Sequence, residues 1–287
     1  MISLDFATFL LQWSVGGLLY LWVTTRRREV SLGYGWLLRG VYGLMAVGAA
    51  VVGLRYGSQP VREISALATA GCAAFALWRS WVHRAAGVEL QRDRVQASTA
   101  RVAEMTGMER SEQRFDTSVG EFDPRLDLLA PVVGTVGMVA GGLVAGDPAW
   151  LSVARTLVGA VFLGCVSDAM LLGHWYLTQP GLRREPLLEL VRHLGFIWPV
   201  EVALLLIPPG MVQVIAGSID DGYGGMLGWF WLACAVTTIG LVWMTSLALK
   251  ERQYSAVMAA TGLLYLAILT AFGTDLVARA ILSSAAP

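Results

Sequence analysis

Charge is what this chain has least of. Of its 287 residues, 15% are charged, where an ordinary soluble domain carries about a quarter. Lysine occurs once, at Lys250, against 20 arginines, and the only histidines are His83, His174 and His193. Paired cysteines are missing too. Cys72, Cys165 and Cys234 fall in three different apolar stretches without CxxC spacing, so neither a disulfide framework nor a zinc site is indicated. There is no GxxxxGK[ST] phosphate loop and no GxGxxG after a strand. HExxH, GxSxG and CxxCH are absent as well, so ATPase, protease and hydrolase chemistry lacks its signatures, and covalent c-type haem is excluded. Basic and acidic residues number 21 each, giving no cationic excess for nucleic acid.

Apolar residues make up 56% of the chain and mean hydropathy is +0.60. They fall in blocks of about 20, the length that crosses a bilayer core as a helix. The blocks predict eight spans, at 5–24, 36–54, 63–82, 128–146, 150–177, 187–208, 226–249 and 254–277. Lipid cannot satisfy backbone polar groups, and the alternation of a membrane barrel is missing, so helices are expected. The fold expected is therefore all-α, a polytopic membrane bundle of eight transmembrane helices.

Charge placement orients the bundle. The turns after spans one, three, five and seven hold or adjoin 17 of the 21 basic residues; Arg55, Arg62, Arg155 and Arg279 remain for the other side. The basic side reads as cytoplasmic, with both termini outside. The first span has no basic residue before it and is too long for a signal-peptide core, so a retained helix is expected. The preference for arginine over lysine suggests a GC-rich bacterial genome, and so a bacterial cytoplasmic (inner) membrane.

Four regions follow: spans one to three within 1–82, a hydrophilic segment at 83–127, span four at 128–146, and the remaining four spans in 147–287. In the hydrophilic segment Val88, Val95 and Val102 recur every seven residues, extended by Met105 and Met108. That stripe predicts an amphipathic cytoplasmic helix over 88–108, able to cover the protein's own face, to dock a protein partner or to lie on the lipid headgroups. On the outer side, Met211 to Ile219 suits a short interfacial helix. Asp220 and Asp221 lack the alternating spacing of a calcium loop and read as a solvated turn.

The chain also resembles itself. A shift of 153 residues lays SVGGLLYLWVTT (14–25) on SDAMLLGHWYLT (167–178), matching Ser14 with Ser167, Leu18 with Leu171, Trp22 with Trp175 and Thr25 with Thr178. Further on, Arg39 meets Arg192 and Gly57 meets Gly210. Both halves start outside, so the two four-helix repeats would be parallel.

Ionisable groups inside a span are costly and mark candidate sites. In the shifted comparison Asp168 stands where the first half has Val15, His174 where it has Leu21, and Glu201 where it has Gly48. Asp168 and Glu201 differ in depth by roughly 7 Å at 1.5 Å per residue, and both could face one cavity. With Ser167 they form the candidate intramembrane cluster Asp168, His174, Glu201 and Ser167. Desolvated carboxyls and imidazole can exchange protons near neutral pH, which suggests proton-coupled transport. His174 and His193 could instead ligate a haem or metal between helices, in an electron-transfer subunit that binds haem or quinone. A third reading is a non-catalytic scaffold docking its partner through 88–108. Plain structural roles compete: Glu189 sits three and four positions before Arg192 and His193, Asp275 pairs naturally with Arg279, and Arg155 could snorkel or meet Asp147.

Overall fold

The structure is a computed structural model that describes residues 4–87, 120–178, 183–251 and 253–284. The amphipathic stretch expected at 88–108, and most of the hydrophilic segment around it, lies outside these residues. The described elements are helices, with no strand among them: α1 (Phe6–Thr25), α2 (Leu32–Tyr56), α3 (Pro60–Val82), α4 (Leu129–Val144), α5 (Ala149–Thr178), α6 (Glu185–Leu206), the short α7 (Met211–Ile215), α8 (Met226–Ala248) and α9 (Tyr254–Ser284). A 3-10 turn follows α3 and another, Pro124–Leu128, leads into α4.

Seven helices among the described residues are long and apolar enough to cross a membrane: α1, α2, α3, α4 with its leading turn, α5, α8 and α9. The chain is thus a multi-pass membrane protein. Helix α6 covers most of the expected span 187–208 over 22 residues. Glu185, Glu189, Arg192 and Glu201 dilute its apolar character, and it is not one of the seven.

Local chemistry sets the helix ends. Asp5 caps α1 by accepting from the Thr8 amide at 3.2 Å. Proline opens α3, where its missing amide costs nothing. Helix α8 starts from Gly225 at φ +86°, a conformation that favours glycine.

Helices α1 and α5 form the centre and are the most enclosed of the seven. Lipid provides little hydrophobic drive between helices, so close packing of small residues must do the joining. The α1–α5 crossing shows this: a Cβ added at Gly16 would stand 1.8 Å from the Ala160 carbonyl oxygen, and one at Gly164 would stand 2.1 Å from the Gly16 carbonyl carbon. Around α1 the contacts run α1–α2, α2–α3, α3–α4 and α4–α1; around α5 they run α5–α6, α6–α8, α8–α9 and α9–α5. Leu18, Leu21, Tyr34, Phe162, Leu172, Leu190 and Leu264 belong to one buried core between these sets. Leu44, Val132, Phe196 and Leu269 lie exposed on the outside, where lipid tails would cover them.

Ion pairs mark the two ends. At the arginine-rich end Arg26 pairs with Glu189 of α6, Arg27 reaches the same carboxylate at 3.2 Å, and Arg28 meets Glu121 at 2.9 Å. At the opposite end Arg62 binds Asp5 at 2.6 Å and Glu63 at 2.7 Å.

Candidate functional site

Glu201 lies in α6 two residues beyond Pro199. It is wholly buried, and neither carboxylate oxygen has a hydrogen-bond donor. Asp275 of α9, also wholly buried, faces it and interacts with it directly, and Arg279 and Arg155 act on the same carboxyl. Arg279, one turn along α9, holds both Asp275 oxygens through Nε at 2.9 and 2.8 Å. Its Nη2 donates to the Arg155 carbonyl at 2.8 Å. From α1, the Gln12 amide donates to each Asp275 oxygen at 3.3 Å, while Gln12 Oε1 lacks a donor. Gly159 of α5 makes the close approach possible, since a Cβ there would fall 2.5 Å from Gln12 Nε2 and 2.6 Å from Asp275 Oδ1. Four helices, α1, α5, α6 and α9, therefore converge on one buried pair of acids.

Arg155 does not reach Asp147, the partner its sequence position suggests. It donates instead to three backbone carbonyls beyond the middle of α6, Leu204 at 3.0 Å and Ile207 and Pro209 at 2.8 Å each. These carbonyls end a helix and have no intrahelical donor, which is why a guanidinium finds them. Arg155 and Arg279 also line a cavity of about 500 Å³ at the end opposite the arginine-rich one. Phe9, Leu205 and Leu282 contribute apolar wall, and Asp147 is exposed where it borders the cavity.

Asp168 has different neighbours. It is wholly buried on α5, and Oδ1 accepts from the Tyr42 hydroxyl of α2 at 2.6 Å, while Oδ2 has no donor. Tyr34 reaches its backbone carbonyl at 3.4 Å. Ser167 accepts from Trp13 Nε1 at 2.9 Å, and Ser14 holds the Tyr42 carbonyl at 2.7 Å. The structure thus gives Asp168 and Glu201 separate partners. Along α5, Gly159 and Asp168 are nine positions apart, about 14 Å.

The imidazoles also stand apart in their contacts. His174 lies on the bundle exterior, its Nδ1 2.9 Å from the Tyr265 hydroxyl of α9. His193 of α6 packs edge-on to Tyr20 of α1 and lies 4.0 Å from Glu189. Among the described residues no three His, Cys, Asp or Glu side chains group closely enough to hold a metal ion.

Asp221, expected in a solvated turn, is a buried anchor for α8. It accepts from the amides of Gly225 and Leu227 at 2.8 Å, Tyr223 at 2.9 Å and Gly228 at 3.4 Å. These amides, that of Gly225 foremost, hold its carboxyl below the usual carboxylate range.

Asp275 and Arg279 pair as their i, i+4 spacing predicts, but their link to Glu201 had no signal in the spacing. Gln12, Gly159 and Tyr42 were also missed. An uncharged polar residue inside an apolar run was the only available clue to Gln12. No family model matches the chain, and no curated protein or solved structure is similar to it.

Proposed function

We propose that the protein is a proton-coupled transporter in which Glu201, set against Asp275, is the proton site. The observation that carries this reading is that the unpaired atoms of the cluster, both Glu201 oxygens and Gln12 Oε1, are all acceptors. What the cluster lacks is protons. One proton between the two carboxyls satisfies a donor-poor site that would otherwise bear an uncompensated desolvation cost. Asp168, with its own unpaired oxygen about 14 Å along α5, serves as a second station towards the arginine-rich end. Ser167 fixes Trp13 beside it. His174, turned to the bundle exterior, takes no part.

The reading includes eight crossings. Helix α6 supports this, since Glu189 near its start meets Arg26 and Arg27 at one end of the bundle. Its last carbonyls meet Arg155 at the other. Two parallel four-helix repeats are part of the same proposal. The shift of 153 carries the end of α1, Thr25, onto the end of α5, Thr178, and the start of α2, Leu32, onto the start of α6, Glu185. The two rings of contacts follow the same order. The arginine-rich end is assigned to the cytoplasm of a bacterial inner membrane, and the cavity to the outer face.

Infrared difference spectroscopy of the purified protein tests the proton site. A protonated-carboxyl C=O band that titrates with pH and disappears in Glu201→Gln is expected. A wild-type spectrum without such a band, or one unchanged in Glu201→Gln, overturns the assignment.

A further inference from the structure

Resting on that reading, we propose that the outer cavity binds an organic monoanion, a carboxylate with an apolar body, against Arg155 and Arg279. The anion enters together with the proton on Glu201.

Arg155 is the starting point. It is 9% exposed, and its recorded hydrogen bonds all go to neutral carbonyls. Among the described residues it has no carboxylate within ion-pair distance; backbone dipoles hold its charge, with Glu201 acting on it from farther away. Arg279 is committed to Asp275. Both arginines line the cavity, and a planar guanidinium matches a carboxylate better than any other side chain does.

Counting charge gives the valence of the ligand. The groups facing Glu201 are Asp275 and Arg279 from α9 and Arg155 from α5. With Glu201 ionised, two cations and two anions cancel. With Glu201 protonated, this cluster, of which Arg155 and Arg279 line the cavity, carries one net positive charge. Elsewhere on the wall Asp5 shares Arg62 with Glu63, at 2.6 and 2.7 Å, and Asp147 is exposed, so the positive surplus is local to Arg155 and Arg279. One surplus charge suits a monoanion and leaves a phosphate dianion half unpaired. The apolar wall of Phe9, Leu205 and Leu282 then selects a hydrocarbon body, and about 500 Å³ is ordinary for a small-molecule site. Binding of the anion favours the protonated acid beneath it, and the proton favours the anion, which is the reciprocity that coupling requires.

The test uses the full chain in nanodiscs of zwitterionic lipid, titrated with octanoate by calorimetry between about pH 6 and 8, where the probe stays ionised. Octanol and octylammonium serve as comparators. Octanoate is expected to bind alone of the three, more tightly as pH falls. Titrations in buffers of different ionisation heat should show uptake of about one proton per anion. Arg155→Gln should weaken binding about tenfold or more. Because Arg155 also holds the end of α6, Ser152→Phe provides a second variant that fills the cavity while replacing none of the charged side chains, and it should abolish binding. Glu201→Gln should bind octanoate with no pH dependence and no proton uptake. Displacement by oleate dissolved in the nanodisc would identify the leaflet as the source of the anion, and no displacement would identify water; both support the same head-group chemistry.

Octylammonium binding as well as octanoate, or octanoate binding unaffected by Ser152→Phe, overturns the proposal. Absence of octanoate binding while the Glu201 carboxyl band persists overturns it too, and leaves the proton site standing. Binding without pH dependence, together with no carboxyl band, defeats the coupling and the reading beneath it.

Discussion

The Arg39 guanidinium and the Asp127 carboxylate meet side-on, Nε to Oδ1 and Nη2 to Oδ2, both at 2.7 Å. Both side chains are buried, and the Phe122 ring lies 4.6 Å from the guanidinium carbon. The pair joins α2 to the turn leading into α4. Removing one partner of a buried pair strands the other charge and costs about 3–5 kcal/mol. Asp127→Asn is therefore expected to lower the unfolding temperature in detergent sharply. Replacing both groups, Arg39→Met with Asp127→Leu, should recover most of the loss. A double variant no better than the single one would show that the pair is not an isolated unit.

The α1–α5 crossing predicts a contrast between glycines. Gly16→Ala and Gly164→Ala place a methyl group into backbone and should splay the central helices, giving protein that aggregates on extraction. Gly40→Ala in α2 has open space around its new Cβ. It should be neutral, or gain up to about 1 kcal/mol from helix propensity. Size-exclusion profiles and thermal melts of the three variants read the difference.

Asp221 makes stability depend on pH at the acid end. Its carboxyl is held below the ordinary range in the folded chain. Its contribution is thus complete above the unfolded value of about 3.9 and is lost as pH falls through the lower folded value. Asp221→Ala should melt earlier than wild type at neutral pH, and the gap should close only in acid below that point. A gap that is constant down to strong acid would mean that the amides respond to the side chain's shape rather than its charge.

At Asp168 the hydroxyl of Tyr42 is the one donor recorded to the carboxyl among the described residues. Tyr42→Phe should cost about 1–3 kcal/mol, because it leaves a buried acceptor bare. Adding Asp168→Leu to Tyr42→Phe should return part of that cost. A double-mutant cycle on unfolding free energy measures the coupling, and zero coupling would refute the contact.

Hydropathy made the helices legible because each block is long, apolar and bounded by charge. The expected 150–177 and 226–249 became Ala149–Thr178 and Met226–Ala248. Helix α6 escaped the simple rule because its charges are spread along it, from Glu185 and Glu189 near its start to Glu201 near its end. The site was legible only as separate residues. Glu201 and Asp168 stood out as buried acids, but which face each presents depends on packing across four helices. The partners lie far away in sequence: Gln12 meets Asp275 across 263 residues and Tyr42 meets Asp168 across 126. Of the two alternatives for Arg155, snorkelling or pairing with Asp147, the pairing fails for the same reason, since sequence spacing offers Asp147 and cannot offer a carbonyl from another helix.

Helices α5 and α9 contain 30 and 31 residues, about 45 Å of rise each. The hydrocarbon core is about 30 Å thick, and a typical tilt of about 20° absorbs little of the excess. Their ends must project into the headgroup layer. Trp150 at the start of α5 and Tyr254 at the start of α9 are both exposed, at opposite ends of the pair, and each suits an interfacial anchor. Bilayer thickness therefore pulls on the two helices from opposite leaflets, and Gly159, Asp275 and Arg279 lie on the seam between them. Hydrophobic mismatch becomes a mechanical input to the buried acids, so short-chain and long-chain lipids should give measurably different octanoate affinities. Equal affinities in the two would show that the seam is stiffer than the membrane around it.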